Sequence, residues 1–68
     1  MPYPPNTRKF RELMDRHGIS PKEAGEMLGR KTRTIYNWRG AYPQVIPDAM
    51  LELFELKLAL RSKEGPLQ

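Results

Sequence analysis

The chain has no cysteine and a single histidine, His17. The first lack excludes disulfides, and the two together leave no plausible ligand set for zinc. No apolar run is long enough to span a bilayer, and no basic-then-apolar leader opens the sequence. A soluble, cytoplasmic protein is the expectation. No stretch alternates apolar and polar residues between hairpin turns, so no strand is expected. There is also no internal repeat and no low-complexity tract. No nucleophile–base pair or paired acid/base constellation is visible. The chain is therefore expected not to be an enzyme. No catalytic residue, metal, cofactor or small-molecule ligand is expected either.

Acid is scarce where base is plentiful. Lys and Arg number 12 against 8 Asp and Glu, a net charge of +4. Residues 1–47 hold nine of the bases and four of the acids (+5), and residues 48–68 hold three and four (−1). From Arg30 to Arg39 there are four bases and no acid. A polyanion would meet the first two-thirds of this chain.

At 68 residues and 38% hydrophobic content, one small domain is expected. A core of this size supplies only about 3–5 kcal/mol, so efficient helix packing or dimerisation must reinforce it.

What is present is helical punctuation. Pro-rich residues 1–5 read as an extended arm. Asn6 or Thr7 is placed to cap a first helix with Phe10, Leu13 and Met14 on one face, stopped by His17-Gly18. Ser20, Pro21 and Glu23 form a capping-box start for a second helix, with Ile19 and Ala24 as its staple and Gly29 as its stop. Ala24, Met27 and Leu28 face inward. A third helix begins at Lys31 or Thr32 and stops at Gly40, with Ile35 and Trp38 as its buried stripe. Ala41–Pro47 reads as a loop. A fourth helix starts at Pro47-Asp48, its acids at the positive end of the dipole and Arg61 and Lys63 at the other. Gly65-Pro66 stops the chain. The fold expected is all-α, with four helices at about 7–17, 20–29, 31–39 and 47–62. The arm is 1–5, the domain 6–62 and a flexible tail 63–68.

Helices two and three, joined by a tight turn, read as a helix-turn-helix that lays one helix in the major groove of DNA. Ala24 and Gly25 are small enough for two helices to cross closely. Lys31, Thr32, Arg33, Tyr36 and Asn37 are left projecting outward. Arg matches the O6/N7 edge of guanine and Asn the N6/N7 edge of adenine. Lys22 and the free N–H groups of the second helix's first turn suit phosphate, as does Arg30.

The stretch GEMLGRKTRTIYNW resembles the helix-turn-helix of the phage Cro and repressor class, also called the xenobiotic-response-element class. Gly25 stands at the usual small-residue position, Leu28-Gly29 matches Leu-Gly, and Ile35 and Trp38 match the two anchors. Gly40-Ala41-Tyr42-Pro43 is similar to the Gly-x-x-Pro that often follows. The match covers residues 20–43. It departs at Gly25, where alanine is usual, and at Lys31, where Ser or Thr is usual and which leaves Thr32 as cap candidate. The resemblance implies base contacts from Thr32, Arg33, Tyr36 and Asn37. It implies phosphate contacts from Lys22, Lys31 and Arg39.

Met50, Leu51, Leu53, Phe54, Leu56, Leu58 and Leu60 surround too much of the fourth helix for one buried stripe. A homodimer is expected, with Met50, Leu53, Phe54, Leu56 and Leu60 at its interface. Its two recognition helices would read an inverted-repeat operator in double-stranded DNA. A repressor or autorepressor of phage or mobile-element type is the leading reading. The IPDAMLEL helix is also similar to anti-CRISPR-associated autorepressors. The alternatives are a DNA-architecture or recombination/packaging accessory factor of excisionase type, and a protein-interaction module that binds no DNA.

Overall fold

The computed structural model describes residues 3–64, with side chains described as far as Arg61. Met1 and Pro2 of the expected arm, and residues 65–68 of the expected tail with the Gly65-Pro66 stop, lie outside the described residues. The described chain is all-helical, in the order α1 (Pro5–His17), α2 (Pro21–Leu28), α3 (Thr32–Gly40) and α4 (Asp48–Glu64). None of these helices is long and apolar enough to cross a membrane.

Three helix starts follow local chemistry, and two of them differ from expectation. α1 begins two residues earlier than its expected start, with Pro5 in the first turn and Pro4 at the cap without a side-chain bond. Proline suits the first helical position because its missing N–H would have no partner there. Asn6 is consequently free for another use: its Nδ2 donates to the Ile46 carbonyl at 3.3 Å and to the Asp48 carboxylate. Thr7, the other cap candidate, is fully buried. α2 starts as expected, with the Glu23 N–H donating to Ser20 Oγ at 3.1 Å. The return half of the capping box is replaced, because the Glu23 carboxylate pairs with Arg61 on α4 at 3.0 Å. α3 has Lys31 at its cap, extended and without a side-chain bond, so Thr32 is the first helical residue and not a cap.

The core gathers one stripe from each helix. Phe10 and Met14 come from α1, Ala24 and Leu28 from α2, Ile35 and Trp38 from α3, and Leu51, Phe54 and Leu58 from α4. Ile19 and Ile46, from the two connections flanking the α2–α3 pair, complete it. Phe10 sits at the centre, edge-on to both Phe54 (centroids 5.0 Å apart) and Trp38 (6.3 Å). This arrangement is favoured because a ring's positive edge meets its neighbour's negative face. α1 is thus a wedge between α3 and α4. Two polar atoms inside this core, Thr7 Oγ1 and Trp38 Nε1, have no hydrogen-bond partner among the described residues.

α4 corrects one expected interface residue. Phe54 is 0% exposed and belongs to the core of its own chain, together with Leu51 and Leu58 at spacings of three and four. Met50 and Leu53 pack partly against that core. Leu56 and Leu60 are different: 63% and 59% exposed, they stand four apart on the outward face.

Candidate nucleic-acid interface

α2 and α3 are joined by three residues, Gly29, Arg30 and Lys31, and the sequence closes this turn by two devices. Gly29 takes a left-handed conformation (φ 66°) that glycine adopts without steric penalty. Gly25, one turn earlier on α2, lets the returning chain lie directly against the helix. A Cβ at Gly25 would come within 2.7 Å of the Arg30 carbonyl oxygen. The Arg30 N–H meanwhile donates to the Gly25 carbonyl at 2.8 Å. Alanine would collide here. Glycine lowers intrinsic helix stability, and the tighter turn is what it permits.

The turn delivers α3 with Ile35 and Trp38 inward and an opposite face of Arg33, Tyr36 and Gly40 outward. Arg33 is exposed and Tyr36 is 61% exposed. Thr32 is exposed at the start of the helix, and Asn37 is half-buried on the flank of the ridge. Arg30 and Lys31, in the turn that leads into α3, are exposed, and so is Lys22 in the first turn of α2. Among the described residues no ion pair holds Lys22, Arg30, Lys31 or Arg33. The Arg30 guanidinium reaches only its neighbour, the Gly29 carbonyl, at 3.4 Å. The two acids of α2 turn away toward α4. Glu23 pairs with Arg61, and Glu26 lines a shallow groove with Met27, Lys57, Leu60 and Arg61. Folding therefore separates the scarce acids from the exposed bases of the turn and α3.

Two expected site features change. Arg39 does not join the outward cations. It is turned back onto α1, with Nη1 3.4 Å from Met14 Sδ and 3.9 Å from the Asp15 carboxylate. Its position explains this, since it lies one turn after Ile35 and so near the buried stripe. The first turn of α2 also offers fewer free donors than expected. Pro21 has no N–H, the Glu23 N–H is taken by Ser20 Oγ, and the Ala24 N–H donates to the Ser20 carbonyl. The Lys22 backbone N–H and ammonium are what remain there for an anion.

One contributor had no signal in the sequence. Arg11 of α1 donates from Nη1 to the Arg39 carbonyl at 2.8 Å, across 28 positions. The Tyr3 ring stacks on the same guanidinium, 4.7 Å from its centroid. A cation thus sits on a carbonyl in the last turn of α3, where the helix dipole is negative. The chain then leaves α3 through Ala41, which takes the left-handed conformation itself (φ 61°). The expected stop, Gly40, remains helical. The following Tyr42 is 82% exposed, its N–H donating to the Asn37 carbonyl at 3.1 Å.

Among the described residues, no three His, Asp or Glu side chains come together to hold a metal ion. No family model, no curated protein and no solved structure matches the chain.

Proposed function

We propose that the chain is a sequence-specific, double-stranded-DNA-binding transcriptional regulator that acts as a repressor. The observation that carries this reading is the outward face of α3. It presents Arg33 and Tyr36, flanked by Thr32, Asn37 and the unpaired Arg30 and Lys31, with the acids of α2 drawn off toward α4. The start of such a helix fits the major groove, with Arg33 toward base edges and Lys22, Arg30 and Lys31 toward phosphates. Regulation in this reading works by occupancy: the protein sits on a promoter and keeps polymerase off.

The working form in this reading is a two-fold dimer through α4. Leu56 and Leu60 form a ridge between two shallow grooves, one lined by Glu52, Glu55, Leu56 and Ala59, the other by Glu26, Met27, Lys57, Leu60 and Arg61. A ridge flanked by one acidic and one largely basic groove is suited to a second copy of itself. Two copies would place their recognition helices one helical turn of DNA apart, about 34 Å, and read an inverted repeat.

Footprinting on the DNA upstream of the chain's own gene tests the reading. A protected inverted repeat is expected, and cooperative filling of tandem sites would point instead to a DNA-architecture factor. Arg33→Ala should lose roughly 1–3 kcal/mol on the cognate site and relax one base position. Lys22→Ala should weaken all sequences alike and reduce the salt slope by about 1. Wild-type binding by both variants would show that α3 is not the reading element.

A further inference from the structure

Gly40 has no role inside this chain that requires glycine. It is helical, its φ is not in the left-handed range, and a Cβ built there would meet nothing within 4 Å. Glycine is among the poorest helix formers, and the neighbouring left-handed position, where it would be useful, is held by Ala41. Gly40 therefore gives up helix stability without any internal gain.

Its place on α3 suggests what the gain is. Gly40 lies seven positions after Arg33, about two turns, and four after Tyr36, so the three share the outward line opposite Ile35 and Trp38. The missing side chain is a gap at the C-terminal end of the exposed face, in line with Arg33. Seven residues of helix advance about 10 Å, which is comparable to the ~12 Å width of the major groove. With Arg33 at base edges, Gly40 arrives at the groove wall. A helix C-terminus normally repels phosphate, but here the Arg11 guanidinium lies on the Arg39 carbonyl, 2.8 Å away. Of the acids on that side, Asp15 lies 3.9 Å from Arg39, and Glu12 lines the same shallow groove of α1 as Arg8, Arg11 and Arg16.

The geometry points to Gly40 as the place where the sugar–phosphate backbone of bound DNA closes directly onto α3, with the absent Cβ setting the distance. This rests on the DNA-binding reading. It adds a contact made by the helix surface itself, one that carries no base information.

The test is Gly40→Ala, with Gly40→Leu as a larger step and Ala41→Gly as a control. Thermal melting and binding to a short random-sequence duplex and to the footprinted site are measured for each. Gly40→Ala should melt higher than wild type, because alanine favours the helix and the space is open. It should bind both duplexes more weakly by roughly tenfold or more, with Gly40→Leu weaker still. Ala41→Gly should bind as wild type does. If the wild type binds no duplex in a salt-dependent way, the regulator reading falls and this inference with it. If the wild type binds and Gly40→Ala binds equally well, the inference alone is wrong. A lower melting temperature for Gly40→Ala would show that the position is not open, and a loss confined to the footprinted site would show a base contact. Either result overturns the proposal.

Discussion

α3 and α4 spend their residues in opposite ways. α3 has nine residues, of which two side chains, Ile35 and Trp38, reach the core. It is held from outside itself, by the tight turn over Gly25, by α1 through Phe10, and by the Arg11 guanidinium at its end. Most of the rest of it is polar, and Thr32, Arg33, Tyr36 and Gly40 are exposed. α4 has 17 residues and supplies Leu51, Phe54 and Leu58 to the core, yet still shows Leu56 and Leu60 outside. A helix that is held by its neighbours can devote a whole face to a partner. A helix that anchors the domain is apolar first, and what it shows outside is the excess.

The sharpest way to test this contrast is Phe54→Ala. Phe54 is buried against Phe10 with centroids 5.0 Å apart. Its truncation should destabilise the domain by about 3–5 kcal/mol, comparable to the whole stability of so small a core. Urea or thermal unfolding at several protein concentrations would measure it. A loss that vanished at high concentration would return Phe54 to a dimer interface and erase the distinction between core and ridge. Next in size is Gly25→Ala. The added methyl meets a backbone carbonyl at 2.7 Å, so the turn must open, at a cost of about 1–3 kcal/mol. DNA affinity should fall with stability, since the turn aims α3. A Gly25→Ala variant as stable as wild type would mean that the turn is not what holds α3. Smallest in its effect on the fold is Leu56→Glu. Monomer stability should change by no more than about 0.5 kcal/mol, as for other exposed positions. Sedimentation should show the dimer lost and affinity for an inverted repeat lowered, with single half-site binding kept. An unchanged dimer would place the two-fold contact elsewhere.

The helices were legible because each carries its own start and stop signals. Ser20-Pro21 and Gly29 bound α2 through bonds made within a few residues, and sequence reading resolves such local chemistry well. The stripe of Ile35 and Trp38 was legible from spacing alone. The start of α1 was misplaced because Asn6, a good cap in isolation, bonds instead to the far end of the α3–α4 loop and to Asp48. Phe54 was misassigned for a related reason. Seven apolar residues on α4 show that there is an excess, but only packing against Phe10 decides which of them are inside. In the site, Arg33 and Tyr36 were readable as outward residues. Arg39 was not readable as inward, because its partners Met14 and Asp15 lie on another helix.

By itself the sequence determined four helices, their approximate limits, a cation-rich third helix and an apolar fourth. These follow from propensity, capping and period, which act over a few residues. Only the tertiary structure decided which acids leave the exposed face, which arginine turns inward, which leucines stay outside, and that Gly40 has empty space where Gly25 has none. Apart from the Gly25–Arg30 approach, those outcomes depend on residues far apart in the sequence, such as Arg39 with Met14, Glu23 with Arg61 and Phe10 with Phe54, and no local pattern encodes which of several compatible partners a side chain will meet.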